Sequence, residues 1–234
     1  CFLKVAINMD FGEQIAHLEQ SSIVGKVNQC SIACGYHAGD GYTIFNAIKF
    51  CQENGVSIGA HPSYPDRSNF GRQIMHLPPK ELLCHLIYQL SAFKSIAKYV
   101  GAPVLHVKLH GALYNEAMHN ESVASTTVEA VEKVLPNAAL MAMADSALEL
   151  HGAIKGFDVW KEGFADRLYE GATKLVPRSV DGSLLTNPED IKRQINNLKA
   201  GFVIDNLGNP IHLSIDTICI HGDNPNINAI LEAL

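Results

Sequence analysis

The sequence repeats one order of elements: a short apolar strand, polar residues where that strand ends, and then a helix. The predicted strands cover residues 4–9, 31–34, 56–60, 104–109, 138–143, 159–165 and 217–220. Polar strand ends recur near residues 10, 37, 61, 110, 145, 166 and 223, and most intervals have room for one helix and its loops. Alternating β and α units of this kind predict a parallel sheet covered by helices.

A closed barrel fits this order better than an open sheet does. The chain contains no G-x-G-x-x-G, the turn that opens a dinucleotide-binding sheet. Barrels of this class often form one unit of about 200–250 residues, and no shift in composition marks a domain boundary. We therefore predict an α/β fold, an irregular TIM-like (β/α)7 barrel of about seven parallel strands. It would form a single domain over residues 1–234, with a hairpin within 202–216.

Composition argues against several classes of partner. Hydrophobic residues make up 47% of the chain and charged residues 18%, the formal net charge is −6, and the basic residues are scattered. Nothing here indicates a nucleic acid or an anionic membrane surface as a partner. No apolar run approaches the ~18 residues that a membrane helix needs. The six cysteines lack disulfide or zinc spacing, so we expect reduced core thiols and a cytoplasmic location.

Polar side chains on three predicted strands share one face, which we expect to point into the barrel. Buried charges cost several kcal/mol unless they are paired, and barrel active sites gather at the carboxyl ends of the strands. A lysine between two inward histidines has no simple packing explanation, which makes Lys108 the most telling candidate. The residues are Asn8 and Asp10, then His106, Lys108 and His110, then Cys219, His221 and Asp223.

Two kinds of chemistry are open at the first three strand ends. Asp10 and Glu13 form a carboxylate pair, and such pairs can separate into a base and an acid. Asp10, His37 and His61 could instead be an Asp/His/His metal set, although their spacing matches no specific ligand motif. A single histidine at a strand end is more often structural than catalytic.

Arginines and helix caps complete the polar inventory. We expect Arg167 and Arg178 to bind a carboxylate or phosphate, because the guanidinium fork suits both anions. Arg67 and Arg72 are equally compatible with bracing a loop. Helix N-caps are the better interpretation of three further residues, namely Asp40, Asp145 and Ser146.

Eight ordered motifs resemble the LamB/YcsF family over nearly the whole chain, from Val5 to about Ala229. Small departures from the usual pattern are Met9, Phe11, Gln14 and Leu109, and by strand parity Leu109 should face away from the site. The motifs span residues 8–13 (NMDFGE), 31–40 (SIACGYHAGD), 59–66 (GAHPSYPD), 69–72 (NFGR), 107–115 (VKLHGALYN), 164–167 (FADR), 175–178 (LVPR) and 220–223 (IHGD).

The resemblance implies a seven-stranded barrel related to sugar deacetylases. Members of the family are described as the A subunit of bacterial 5-oxoprolinase, which implies ATP-dependent opening of the lactam 5-oxoproline (pyroglutamate) to L-glutamate together with the B and C subunits as partners. The catalytic candidates are Asp10, Glu13, His37, His61, Lys108 and His110. The substrate-binding candidates are Asn8, Tyr114, Asp166, Arg167, Arg178, His221 and Asp223.

Asp10 or a strand-end histidine would act as general base on water, and Lys108 would stabilise negative charge on oxygen. ATP would be a co-substrate, and because the chain has no G-x-x-x-x-G-K-[ST] loop, its site should lie in another chain. Two alternatives remain open: a stand-alone metal-dependent deacetylase or amidase, and a non-catalytic subunit that only binds substrate. A divalent metal would accompany the first alternative.

Overall fold

The computed structural model describes residues 5–13 and 25–232. Seven parallel strands close into a barrel in the spatial order β1-β11-β6-β5-β4-β3-β2, which confirms the predicted fold class. The barrel strands are β1 (Ala6–Phe11), β2 (Gln29–Ala33), β3 (Ser57–His61), β4 (Val104–Lys108), β5 (Ala139–Ala142), β6 (Val159–Phe164) and β11 (Thr217–Ile220).

Two antiparallel pairs lie outside the barrel. The predicted hairpin is present as β9 (Phe202–Ile204) with β10 (Pro210–His212), whereas β7 (Tyr169–Gly171) with β8 (Lys174–Leu175) was not predicted. The β7–β8 pair follows β6, so its loop lies beside the carboxyl end of the barrel.

Helices connect successive strands and bury one apolar face each. They are α1 (Gly41–Glu53), α2 (Pro79–Val100), α3 (Gly111–His119), α4 (Glu121–Val134), α5 (Ala147–Ile154), α6 (Pro188–Lys199) and α7 (Ile227–Glu232). None of the helices in the described part of the chain is both long and apolar enough to cross a membrane.

Helix boundaries follow the local sequence. Asp40 caps α1, because its carboxylate accepts from the Thr43 N–H at 2.8 Å, and Ser146 caps α5 in the same way through Glu149 N–H. The prediction that Asp145 is a cap is wrong: it precedes the cap in a left-handed conformation (φ 61°), and its own N–H donates to the Glu149 carboxylate.

The predicted burial of the cysteines is confirmed at four of the five described positions. Cys30, Cys34, Cys51 and Cys219 are buried free thiols, but Cys84 is exposed because it lies on the outer face of α2. Cys1, Gln14 and His17 lie outside the described residues.

The barrel interior below the site is closed by a histidine. His106 on β4 is fully buried, and its Nε2 lies 3.0 Å from the Ser31 hydroxyl on β2. Its ring fills the space above Gly59, where an added Cβ would lie 2.2 Å from the ring atoms. Glycine at this position of β3 therefore makes room for the imidazole.

Candidate active site

A cavity of about 650 Å³ opens at the carboxyl ends of the barrel strands, where barrel active sites form. Leu109, expected to face away, is also in its wall, because β4 ends at Lys108 and strict alternation stops there. Asn8, His37 and Asp166 are buried behind the wall. The wall contains ten of the predicted residues: Asp10, Glu13, His61, Lys108, His110, Tyr114, Arg167, Arg178, His221 and Asp223.

The Lys108 ammonium is the centre of one buried charge network. The side chain is 2% exposed, and the contacts of its Nζ are Asp10 Oδ1 at 2.8 Å, Glu162 Oε1 at 2.9 Å, Cys219 Sγ at 3.0 Å and Asn8 Oδ1 at 3.3 Å. An ammonium has three donors, and these contacts use them. Lys108 therefore positions and compensates neighbouring groups, and no donor remains for a substrate oxygen.

The charges in this network stabilise one another. Burial favours the neutral form of Asp10, but Lys108 and His61 outweigh it and hold the Asp10 pKa well below its usual value. Burial likewise disfavours the ammonium, but Asp10, Cys219 and Glu162 raise the Lys108 pKa well above its usual value. We conclude that the Asp10 carboxylate is ionised and paired, which makes it a weak base near neutral pH.

Glu162 on β6 belongs to this network, and the sequence analysis missed it. The carboxylate is 2% exposed, and within the described residues neither oxygen makes a hydrogen bond beyond its ion-pair contact with Lys108. Burial and the nearby Glu162 raise the pKa of the Tyr114 phenol well above its usual value. Strand alternation was the available signal, since Glu162 shares the inward parity of Phe164.

A second buried cluster joins three histidines and Glu13, and we call it the histidine cluster. The His37 and His110 rings stack with centroids 3.7 Å apart, and His61 meets His110 edge to face. The Glu13 Oε1 atom lies 3.1 Å from His37 Nε2 and 3.3 Å from His110 Nδ1. Burial is the main reason that the pKa values of His37 and His110 fall well below the usual value.

A strained loop between β3 and α2 positions this cluster. Phe70 has φ 56°, which is uncommon for a bulky residue, and its carbonyl accepts from His110 Nε2 at 2.8 Å. Gly111 allows α3 to begin against this loop, because a Cβ there would lie 2.6 Å from the Gly71 oxygen. Arg67 donates to the carbonyls of Gly35 and Gly39 and therefore braces the same loop.

An aspartate–histidine pair, Asp166 with His221, also lies beside Asp10. Asp166 Oδ1 accepts from His221 Nδ1 at 2.7 Å, and its second oxygen accepts from the His221 backbone N–H. With Nδ1 donating, His221 Nε2 carries the lone pair and lies 4.0 Å from Asp10 Oδ2. Although burial opposes ionisation, His221 lowers the Asp166 pKa. This is the arrangement of an oriented general base.

Three arginines and one aspartate form a positive corner of the cavity. Asp223 Oδ2 accepts from Arg178 at 3.0 Å and from Arg72. Arg167 donates to the Val176 carbonyl, and burial and Arg178 lower its pKa to about 10. Asp223 and the nearby Asp166 compensate part of the positive charge of the three guanidinium groups, and a carboxylate or phosphate can neutralise the rest.

Two groups of side chains within the described residues could hold a metal ion: the histidine cluster, and Asp10 with Cys219 and His221. Neither group is the predicted set of Asp10, His37 and His61. In the second group the Lys108 ammonium already contacts both Asp10 and Cys219, so it stands where a cation would bind. The donor set of the histidine cluster, three imidazoles and a carboxylate, fits a divalent transition metal.

A closed parallel barrel with a polar cavity at its strand ends places the chain among the α/β-barrel proteins. The model of the LamB/YcsF family matches residues 5–234, and the chain belongs to this family. It is similar to proteins named as the A subunit of 5-oxoprolinase from Chloroflexus aggregans (38% identity over 99% of this chain and 94% of the relative) and Erwinia tasmaniensis (37%, over 96% and 91%).

A solved structure shows the same fold. The lactam utilization protein from Thermus thermophilus superposes with a TM-score of 0.88 at 34% identity, over 99% of this chain and 96% of that one. A similar relative from Pyrococcus abyssi, which carries the same 5-oxoprolinase name, is 37% identical over 95% of this chain and 89% of its own length. The family resemblance found in the sequence is thereby confirmed.

Proposed function

We propose that this chain is the A subunit of a 5-oxoprolinase and that its cavity serves the ATP-dependent hydrolysis of 5-oxoproline to L-glutamate. The observation that carries the proposal is one cavity that combines an oriented Asp–His pair with an arginine-rich corner. The chain that contains it is similar to proteins named as the A subunit of 5-oxoprolinase. The substrate offers a matching pair of groups, a lactam to be hydrolysed and a carboxylate to be held.

The positive corner would bind the substrate carboxylate. Arg178 and Arg167 both line the cavity, and Asp223 neutralises only part of the positive charge. A guanidinium binds a carboxylate through two parallel hydrogen bonds and so fixes its orientation. The lactam ring would then lie toward the strand ends, near His221.

His221 would act as general base, with Asp166 as its positioning residue. Its Nε2 would take a proton from water as the water oxygen adds to the lactam carbonyl carbon. The carbon–nitrogen bond then breaks, and the nitrogen takes up a proton to become the amine of glutamate. This role fits His221 better than Asp10, whose pKa is held low by Lys108.

ATP would activate the lactam, because a resonance-stabilised amide carbonyl is a poor electrophile. The γ-phosphoryl group would pass from ATP to the lactam oxygen with release of ADP, and inorganic phosphate would leave after water has added and the carbon–nitrogen bond has broken. The chain carries no G-x-x-x-x-G-K-[ST] loop, and we therefore assign the ATP site to one of the partner chains, the B or the C subunit. A cytoplasmic location supplies both ATP and the reducing conditions that suit its free thiols.

The test is glutamate formation from 5-oxoproline by this chain alone and with the B and C subunits, with and without ATP. We expect product only when ATP and all subunits are present, and a loss of at least about 100-fold in H221Q. H212Q, at an exposed histidine of β10, is the matched control. Wild-type turnover in H221Q would contradict the role of the cavity. Product without ATP or partners would indicate a stand-alone amidase.

A further inference from the structure

We infer that Glu13, His37, His61 and His110 form a binding site for one divalent transition-metal ion of the zinc class. The site rests on the geometry of these four side chains and not on the identity of the substrate. Metal binding and the proposed function can therefore fail separately.

The hydrogen bonds of two histidines determine which ring nitrogens carry lone pairs. His61 Nδ1 lies 2.8 Å from the Lys108 carbonyl, and His110 Nε2 lies 2.8 Å from the Phe70 carbonyl. A carbonyl oxygen only accepts, so each of these nitrogens must be the donor. In the neutral rings, His61 Nε2 and His110 Nδ1 are then both bare acceptors.

These two bare nitrogens face each other. His61 Nε2 and His110 Nδ1 are 3.0 Å apart, and Glu13 Oε1 lies 3.3 Å from His110 Nδ1. Converging lone pairs at such distances repel unless a cation lies between them. Either a proton or a metal ion could supply this positive charge. The number of converging ligands distinguishes them, since a proton is shared by two atoms and a metal ion by four.

The distances suit four-coordinate binding. Zinc–nitrogen bonds of about 2.0–2.1 Å place neighbouring ligand atoms of a tetrahedron about 3.3–3.4 Å apart. The observed separations are 3.0, 3.1 and 3.3 Å, and one ligand atom from each of the four residues lies within 4.8 Å of the others. To admit an ion, the stacked His37 and His110 rings would have to rotate apart, because their parallel planes cannot both contain it.

The surroundings of the ligands are also those of a metal site. The carbonyls of Lys108 and Phe70 orient two of the imidazoles through their remote nitrogens, as the outer partners of metal-bound histidines do. His37 Nδ1 is buried and has no hydrogen bond within the described residues, so a ring proton there would free Nε2 but would itself lack an acceptor. Glu13, His61 and His110 line the cavity, so a bound ion would be within reach of a ligand there.

The experiment is titration of chelator-treated protein with zinc chloride and with cobalt(II) chloride, followed by calorimetry and by elemental analysis after gel filtration. We expect one ion per chain, and a loss of affinity of at least about 100-fold in both H61Q and H110Q. H221Q is the matched control, since it removes another cavity histidine outside the cluster, and it should retain the wild-type stoichiometry. Circular dichroism confirms that each variant is folded.

Three results would overturn the inference. The first is no binding of either metal by the folded wild-type protein, which would leave a shared proton as the cation between His61 and His110. The second is unchanged affinity in H61Q and H110Q. The third is loss of the ion in H221Q alone, which would place it with Asp10 and Cys219.

Discussion

The two buried clusters at the end of this barrel meet the same electrostatic requirement in different ways. Around Lys108, two carboxylates and a thiol converge on an ammonium that the chain itself supplies. In the histidine cluster, three imidazoles and the Glu13 carboxylate converge on one another, with no ammonium or guanidinium among them. Buried anions and lone pairs are costly unless a cation or a proton neutralises them, and burial raises the pKa of the Glu13 carboxyl. The comparison teaches that one cluster has its cation built in, and we infer that the other acquires its cation by binding a metal.

Removing the built-in cation should have the largest effect. K108M leaves Glu162 buried without a partner and leaves Asp10 with only the imidazoles of His61 and His221 beside it, and breaking a buried pair in this way costs about 3–5 kcal/mol. We expect that loss in the free energy of unfolding from urea denaturation. K133M, in an exposed pair with Glu129, should change stability little.

A double variant sharpens the same point. K108M/E162Q should recover part of the stability lost in K108M, because the carboxylate left without a partner is gone. If K108M proves as stable as wild type, the Lys108 ammonium does not compensate the buried carboxylates, and the contrast drawn between the two clusters is wrong.

The second-largest effect is expected on turnover, when the carboxylate that orients His221 is replaced. D166N lets the partner of His221 Nδ1 donate instead of accept, so the proton on the ring can move and Nε2 loses its lone pair toward the cavity. We expect kcat to fall by about 100-fold, with the acidic limb of the pH–rate profile displaced. An unchanged profile with reduced activity would indicate a merely structural role for Asp166.

The positive corner is the reverse of the histidine cluster, because cations outnumber anions there. A substitution in this corner should have a smaller effect. R178K keeps the charge but loses the planar fork that binds a carboxylate with two hydrogen bonds. We expect KM for 5-oxoproline to rise about tenfold, equivalent to about 1.4 kcal/mol, with kcat changed less. R193K, at an exposed arginine of α6 that does not line the cavity, is the control, and an equal rise in KM there would remove the special role of Arg178.

At neutral pH the smallest effect concerns His106, a buried histidine that neither an ammonium nor a bound ion compensates. Burial, Lys108 and His61 lower its pKa to about 3, and Asp10 opposes this shift. The unfolded chain, with a pKa near 6.5, therefore binds more protons, so this contribution to stability is lost as the pH falls from about 6.5 toward 3. The urea midpoint should fall less steeply between pH 6.5 and 4 in H106Q than in wild type. Parallel pH dependence in the two proteins would show that His106 contributes nothing.

Much of the fold could be predicted because strand parity and helix caps are local properties. The seven barrel strands and the inward direction of Asp10 and Lys108 follow from alternation. The Asp145 cap was wrong because Asp145 and Ser146 both carry cap-forming oxygens, and only the backbone conformation decides between them.

The site was less accessible to sequence reasoning because it depends on distances between remote residues. Alternation indicates that Lys108 points inward, but not that Glu162 and Cys219 saturate its donors. Likewise, His37 and His61 were assigned to a metal set with Asp10, whereas the structure places them beside Glu13 and His110. The ring nitrogen that faces the cluster is set by the carbonyls of Phe70 and Lys108, and no residue type encodes that choice.

The most direct test of the contrast between the two clusters is X-ray absorption spectroscopy of the zinc-loaded protein at the zinc edge. A histidine-cluster ion has three imidazole nitrogens and one carboxylate oxygen as ligands at about 2.0–2.2 Å, without sulfur, and the spectrum should be unchanged in D10N. A sulfur shell near 2.3 Å, or a first shell altered by D10N, would place the ion with Asp10 and Cys219 and contradict the account.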